Sequence, residues 1–180
     1  MIVITGATGQ LDRLVIEALM KELSASQIVA VVRNPEKAKD LVSRGVQIRQ
    51  ADYNQPSTLS AALKGADKLL LISSSEVGQR IRQHGAVIKA AQDAGAKLLA
   101  YTSLLHADTS PLGLAVEHNE TERLLRASGL PFVVLRNGWY TENYMGSLSA
   151  ALDNGVILGC AGDGRIASAA RADYAASAAA

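Results

Sequence analysis

The chain has 180 residues, 48% of them hydrophobic, and its 18 Lys and Arg against 17 Asp and Glu leave a formal charge of +1. That balance excludes a disordered chain and shows no basic cluster of the kind that binds nucleic acid. A single cysteine, Cys160, excludes an intramolecular disulfide, no Cys/His spacing suggests a metal, and no apolar run approaches membrane-spanning length.

The chain opens into the apolar run Met1-Ile2-Val3-Ile4 with no basic leader region, so the expectation is a cytoplasmic protein that is neither secreted nor membrane-spanning. Thr5-Gly6-Ala7-Thr8-Gly9-Gln10-Leu11-Asp12 follows at once. A β-branched run that breaks into Gly-x-x-Gly and then into helical spacing (Leu11, Leu14, Val15, Ala18, Leu19, Leu23) predicts a buried strand, a tight turn and a helix start. Such a turn holds a phosphate, because the glycines allow close backbone approach and the new helix points free N–H groups and its positive dipole end at the anion.

Ile28 to Val32 predicts a second buried parallel strand, which completes a βαβ unit. Arg33 ends it, 27 residues after Gly6, and Asn34 and Pro35 suit a helix cap and first turn. Where an NAD enzyme of this architecture places an acid on the ribose 2′-hydroxyl, an Arg accommodates a 2′-phosphate; the alternative is a solvated strand-end cation.

The pattern repeats with an edge strand over Val46 to Tyr53, a short helix over Ser57 to Lys64 and a buried strand over Lys68 to Ile72. Asp52 and Tyr53 sit at a strand end where an adenine fits, or serve as an ordinary turn. Ser73, Ser74 and Ser75 follow at the carboxyl edge of the sheet, either contacting ribose or phosphate or simply forming a loop. A helix is predicted over Val77 to Ala94, a strand over Lys97 to Ser103, a helix over Leu114 to Ser128 and a sixth strand over Pro131 to Leu135. The fold class is therefore α/β, a Rossmann-type doubly wound parallel sheet flanked by helices, in one domain spanning residues 1–180.

Asn137-Gly138-Trp139-Tyr140-Thr141-Glu142-Asn143-Tyr144 breaks the periodicity with the only Trp and two of the five Tyr residues. Aromatics with polar tips at a sheet's carboxyl edge suit a planar ligand, although Trp139 by itself reads as packing. A final helix is expected after Arg171-Ala172-Asp173.

Taken with Val32-Arg33-Asn34-Pro35, Tyr101-Thr102-Ser103 and Leu135-Arg136, these segments resemble the NmrA-like, atypical short-chain dehydrogenases, most of all their quinone-reducing bacterial members. The resemblance implies NADPH and two-electron reduction of a small-molecule quinone, with no nucleic acid and no membrane span; a homodimer stays open. It places the pyrophosphate on Gly6, Ala7, Thr8, Gly9, Gln10 and Leu11, the 2′-phosphate on Arg33 and the ribose on Ser73, Ser74 and Ser75. Asn137, Gly138, Trp139, Tyr140, Thr141, Glu142 and then Ala169, Ala170, Arg171, Ala172 and Asp173 would border the nicotinamide. No metal is implied and no catalytic residue is assigned. NmrA-like relatives also include cofactor-sensing regulators without turnover, which is the alternative reading.

Three departures from the family pattern matter. The Tyr-x-x-x-Lys pair of short-chain dehydrogenases is missing, and the corresponding helix reads Glu117-His118-Asn119-Glu120-Thr121-Glu122, where His118 looks like a solvated surface residue. Asp12 stands at the third glycine position, where a carboxylate competes with the pyrophosphate; at an effective dielectric near 20, two unit charges about 5 Å apart cost roughly 3 kcal/mol. The last ~25 residues read as the start of a substrate-side region that ends at Tyr174-Ala175-Ala176-Ser177-Ala178-Ala179-Ala180, so part of the quinone pocket is expected to be missing.

Overall fold

The computed structural model describes residues 1–180. Strands and helices alternate: β1 (Ile2–Thr5), α1 (Gln10–Leu19), β2 (Ile28–Val32), α2 (Lys39–Ser43), β3 (Gln47–Gln50), α3 (Pro56–Ala62), β4 (Lys68–Leu71), α4 (Arg80–Asp93), β5 (Leu98–Leu104), α5 (Gly113–Ala127) and β6 (Phe132–Asn137). The six strands form one parallel sheet in the order β3-β2-β1-β4-β5-β6.

Apolar side chains alternate between the two faces, so both faces need cover. Val3, Val29, Val31, Leu69, Leu71, Leu99 and Tyr101 pack with Leu59 of α3, Val87 and Ile88 of α4 and Leu125 of α5. Ile4, Ile28, Ala30, Val32 and Leu70 face the other way, against Leu11, Val15, Ile16 and Leu19 of α1 and Leu41 of α2. The chain passes from β1 outward to β3 and then returns to lay β4 on the other side of β1. Loops after β1 and β4 therefore leave in opposite directions and open a crevice at the carboxyl edge.

Element boundaries differ from the sequence expectation for local reasons. β3 stops at Gln50 because Asp52 turns the chain, accepting from the Asn54 amide through its side chain and from the Gln55 amide through its carbonyl. The helix expected from Val77 begins at Arg80 because the Glu117 carboxylate takes the amides of Gly78 and Arg80. β6 runs on to Asn137, paired with Leu104.

Beyond β6 lie β7 (Trp139–Tyr140), a 3-10 turn (Thr141–Ser147), α6 (Leu148–Asn154), β8 (Ser168–Ala169) and α7 (Arg171–Ala179). β7 and β8 pair as a small parallel ribbon. α7 starts at Arg171, three residues before Tyr174, because both Glu142 carboxylate oxygens accept the Arg171 amide, at 2.9 and 3.0 Å. Its Ala175 is buried beside the α1 core residues. No helix is long and apolar enough to cross a membrane.

The end of β6 is fixed by a buried carboxylate. Glu122 on α5 has a fully buried side chain and is held by Arg136 at 2.7 Å, Arg126 at 2.8 Å and the Ser103 hydroxyl at 2.7 Å. Burial pushes its pKa up, but the hydrogen bonds from Arg136, Ser103 and Arg126 outweigh that and hold it below the usual carboxylate range. Removing Arg136 leaves the charge with fewer partners. Arg136→Met should therefore destabilise the fold by roughly 2–3 kcal/mol in urea unfolding, and Glu122→Gln on that background should recover part of the loss.

Candidate functional site

Two clefts of about 270 and 520 Å³ share Asp12, Ile72 and Ser73 to Ser75 and run together across the carboxyl edge. The first holds Gly6, Thr8, Gly9, Arg33, Tyr53 and Glu76. The second holds Gln10, Leu11, His118, Asn137, Tyr140 and Arg171.

At the centre is the β1–α1 turn. Gly6 has φ +74°, the left-handed conformation that glycine adopts without strain. Gly9 caps α1 with no side-chain bond, and the amides of Gln10, Leu11 and Asp12 meet no backbone acceptor. An anion at this helix start would find free N–H groups and the positive dipole end.

Asp12 lies inside this cradle. It is 3% exposed, its Oδ1 has no hydrogen-bond partner, and a Cβ on Gly9 would overlap its Oδ2. Burial pushes the carboxyl up to about 7, against smaller opposing effects of its own backbone amide and Arg13. Arg13 is committed elsewhere, to Asp40 and to the Lys37 carbonyl at 2.6 Å. The helix start suits a diphosphate, and a neutral carboxyl beside it suits one too; an ionised one does not.

Arg33 reaches into the first cleft and meets the Glu76 carboxylate at 2.7 Å. Glu76 also accepts from Gln83 at 2.7 Å, and these bonds, with Arg33, hold its pKa below the usual range. Tyr53 donates to the Thr5 hydroxyl at 2.5 Å, and Thr5 in turn donates to the Leu70 carbonyl, so the floor between β1 and β4 is closed by hydrogen bonds.

The serine loop is held from beneath. The Ser73 amide donates to Thr102 Oγ1 at 2.9 Å and the Ser74 amide to His84 Nε2 at 3.0 Å. Accepting at Nε2 assigns the proton to Nδ1, which faces Thr121 Oγ1 at 3.0 Å. Arg80 donates from Nε to the Ser74 carbonyl at 2.6 Å and pairs with Glu117 at 3.3 Å. Burial, with His118 and Arg80 nearby, lowers the His84 pKa to about 3.

His118 differs from its expected place. It is 6% exposed, its Nδ1 lies 2.7 Å from the Tyr101 hydroxyl, and it lines the second cleft. The surface reading failed because only one side of α5 is solvated, and position 118 faces the strand bearing Tyr101. Desolvation and Arg80 lower its pKa to about 4, so near neutral pH it is an uncharged imidazole.

At the far end, Asn137 Nδ2 donates to the Tyr140 hydroxyl at 3.1 Å, and the Arg171 guanidinium lies 4.8 Å above the Tyr140 ring while bonding Gln10 Oε1. The Gly138 amide donates to the Tyr174 hydroxyl at 3.1 Å, and a Cβ there would lie 2.9 Å from that oxygen. Of the other residues singled out from sequence, Ala7 is buried in the core, Glu142 binds the start of α7, and Trp139 is 47% exposed and edge-on to Tyr144 rather than packed away. Thr141, Ala169, Ala170, Ala172 and Asp173 line neither cleft. Glu76 in the first cleft and Arg80 in the second were not singled out from sequence; Thr102 and Asn143, quoted there only as parts of longer segments, line the second cleft. No three His, Cys, Asp or Glu residues cluster as a metal site.

A six-stranded 3-2-1-4-5-6 sheet with a glycine turn at its switch point defines a Rossmann-type dinucleotide-binding protein. A family profile described as NAD(P)H-binding matches residues 6–180, and the chain belongs to that NmrA-like family. It is 65% identical to quinone oxidoreductase 2 of Escherichia coli over 179 residues, which is 99% of this chain and 63% of that protein. The crystal structure of the NADPH complex of that E. coli enzyme superposes with a TM-score of 0.96, covering 99% of this chain and 63% of that one. The NADP(H) complex of a Citrobacter triphenylmethane reductase gives 0.96 at 45% identity, covering 99% and 64%. The chain thus spans about 63% of the length of these relatives.

The buried ionisable groups set opposite pH dependences. Unfolded histidines take up protons near 6.5, whereas His84 and His118 resist protonation down to about 3 and 4, so the stability they contribute above 6.5 is lost as pH falls toward 4. Asp12 is raised, so the folded state is favoured below about 4 and loses that advantage as pH rises to about 7. Asp12→Asn should therefore melt close to the parent at pH 4 and above it at pH 7.5, with a gain on the order of 4 kcal/mol. Thermal unfolding of both proteins across pH 4–8 measures the difference.

Proposed function

We propose that the chain binds NADPH along the joined clefts and takes part in two-electron reduction of quinones in the cytoplasm. The observation that carries this reading is the continuity of the clefts, from Arg33 to the Asn137–Arg171 end, in a chain 65% identical to E. coli quinone oxidoreductase 2. In this reading Gly6 to Leu11 hold the diphosphate, Arg33 the 2′-phosphate, Ser73 to Ser75 the ribose, and Asn137 to Glu142 with Ala169 to Asp173 the nicotinamide end. Glu142 serves indirectly, by fixing the start of α7.

Bound NADPH supplies the hydride, and one proton from solvent completes conversion of a quinone to a hydroquinone. The chain's own residues orient and shield. With the Tyr101 hydroxyl, whose one hydrogen-bond partner is His118 Nδ1, as the donor, the imidazole proton sits on Nε2, and His118, which lines the cleft, has a hydrogen-bond donor for a quinone oxygen. Being uncharged near neutrality, His118 is not an imidazolium acid. Tyr140, with the Arg171 cation above its ring, offers an aromatic wall.

We take residues 1–180 as one dinucleotide-binding domain whose last part begins a substrate-side region. The exposed Ile157 (79%), Leu158 (87%) and Leu152 (74%) beyond β7 support this, since so much apolar surface in one stretch suits cover by further structure.

Three measurements test the reading. NADPH oxidation with a simple quinone separates a reductase from a cofactor sensor; binding without turnover would favour the sensor. NADPH should bind more tightly than NADH, and Arg33→Ala should remove most of the preference, about the 1.5–3 kcal/mol of a charge-assisted bond. Because Glu76 holds Arg33 in the free protein, Glu76→Gln should widen the preference instead. His118→Ala should lower the maximal rate by less than the roughly hundredfold typical of a lost general acid, with the fold intact by circular dichroism.

A further inference from the structure

Asp12 occupies the space that the glycine turn would offer to a diphosphate. Its carboxyl lies against Gly6 and Gly9, Oδ1 is buried without a partner, and the residue lines both clefts. A diphosphate carries two negative charges, and a carboxylate at this depth would repel them with little screening from water. A carboxylic acid in the same place has an O–H to donate to a phosphate oxygen, which turns a repulsive neighbour into a ligand.

We propose that Asp12 is a diphosphate-binding residue that works in its protonated form, so that above neutral pH each cofactor molecule is bound together with one proton. This rests on the NADPH-binding reading given above.

Beyond the backbone amides of the helix start, its own among them, no cationic side chain pairs with the charge. On its own helix Arg13 is taken by Asp40. From the β2 side Arg33 is taken by Glu76. From the β3 side Asp52 turns its own chain and Tyr53 donates to Thr5. From the far cleft Arg80 pairs with Glu117, His118 bonds Tyr101, and Arg171 bonds Gln10 and covers Tyr140. None of the cations forms an ion pair with Asp12. Its burial already holds the carboxyl half-protonated near pH 7 in the free protein, and a neighbouring diphosphate can only strengthen the hold on that proton.

The linkage has a definite sign. Below about pH 7 the acid is already protonated and affinity is insensitive to pH through this group; above it, the dissociation constant rises by up to about tenfold per pH unit. The 2′-phosphate of NADPH titrates near 6 and acts in the opposite direction, so the informative window is pH 7–8.5.

Isothermal titration of the protein with NADPH at pH 8, in two buffers of different ionisation enthalpy, counts protons. The expected result is uptake of most of one proton per cofactor, falling toward zero at lower pH once the contribution of the 2′-phosphate is subtracted using Asp12→Asn. Asp12→Asn, whose amide donates without titrating, and Asp12→Gly, which clears the cradle, should bind NADPH with no such uptake and with dissociation constants flat from pH 7 to 8.5. NADH should show the same coupling in the parent protein, because it shares the diphosphate. Binding at pH 8 without proton uptake, or an equal pH dependence in Asp12→Asn, overturns the proposal. If neither the parent nor either folded variant binds NADPH anywhere between pH 6 and 8.5, the cofactor reading falls and takes the proposal with it.

Discussion

A parallel sheet must be covered on both faces, and the way this chain meets that demand determines where a ligand can go. Strands such as Ile28–Val32 present apolar side chains to both sides, so the crossover helices divide between the faces and the chain must change direction once, between β3 and β4. That single reversal parts the loops after β1 and β4. The α1 amides without a backbone acceptor, the hydroxyls after β4 and those at the end of β5 lie along the resulting gap.

Keeping the gap open takes buried polar structure that a helix–sheet sandwich would otherwise not need. Glu117 takes two amides of the β4–α4 loop, His84 takes a third and Arg80 meets a carbonyl of the same loop, all from positions facing the core side of α4 and α5. Each group is costly to bury alone, and each is satisfied only if the others stand in place. The loop is therefore set by the helices behind it rather than by its own sequence. Glu122 does the corresponding work at the end of β6.

Those two kinds of order differ in how legible they are from residues alone. The strands and the glycine turn are local in cause, since β-branched runs, Gly6 and Gly9 produce the same structure in almost any surroundings, and the strand positions could be read directly. The carboxyl-edge serines and the Asn137 segment follow from those positions. His118, Glu117 and Glu76 could not be read, because helical spacing says which residues share a face but not whether that face meets water or a strand bearing Tyr101. The start of α4 was obscured for the same reason, the capping carboxylate coming from a residue 37 positions away. The β7–β8 ribbon joins segments about 30 residues apart, and nothing in a two-residue strand announces its partner.

The free protein answers its own charges at each place where a dinucleotide would bring one. Arg33, suited to a phosphomonoester, already holds Glu76; Arg171, at the opposite end, holds Gln10 and covers Tyr140; at the anion-binding helix start between them the Asp12 carboxyl lies buried, its Oδ1 without a partner. Binding in such a site is exchange rather than filling, and each exchange subtracts the broken contact from the new one. A ligand that offers only one of the matching groups gains little, because it leaves Glu76 or Asp12 without compensation. One that offers anions at both places gains at both at once, so the internal pairs weaken binding in general while sharpening discrimination for a molecule with an anion at the switch point and a second at the end of β2. Asp12 fits this pattern as the strictest of the three, since Glu76 can swing aside into water, whereas a carboxyl wedged between Gly6 and Gly9 can accommodate an anion only by changing its own charge.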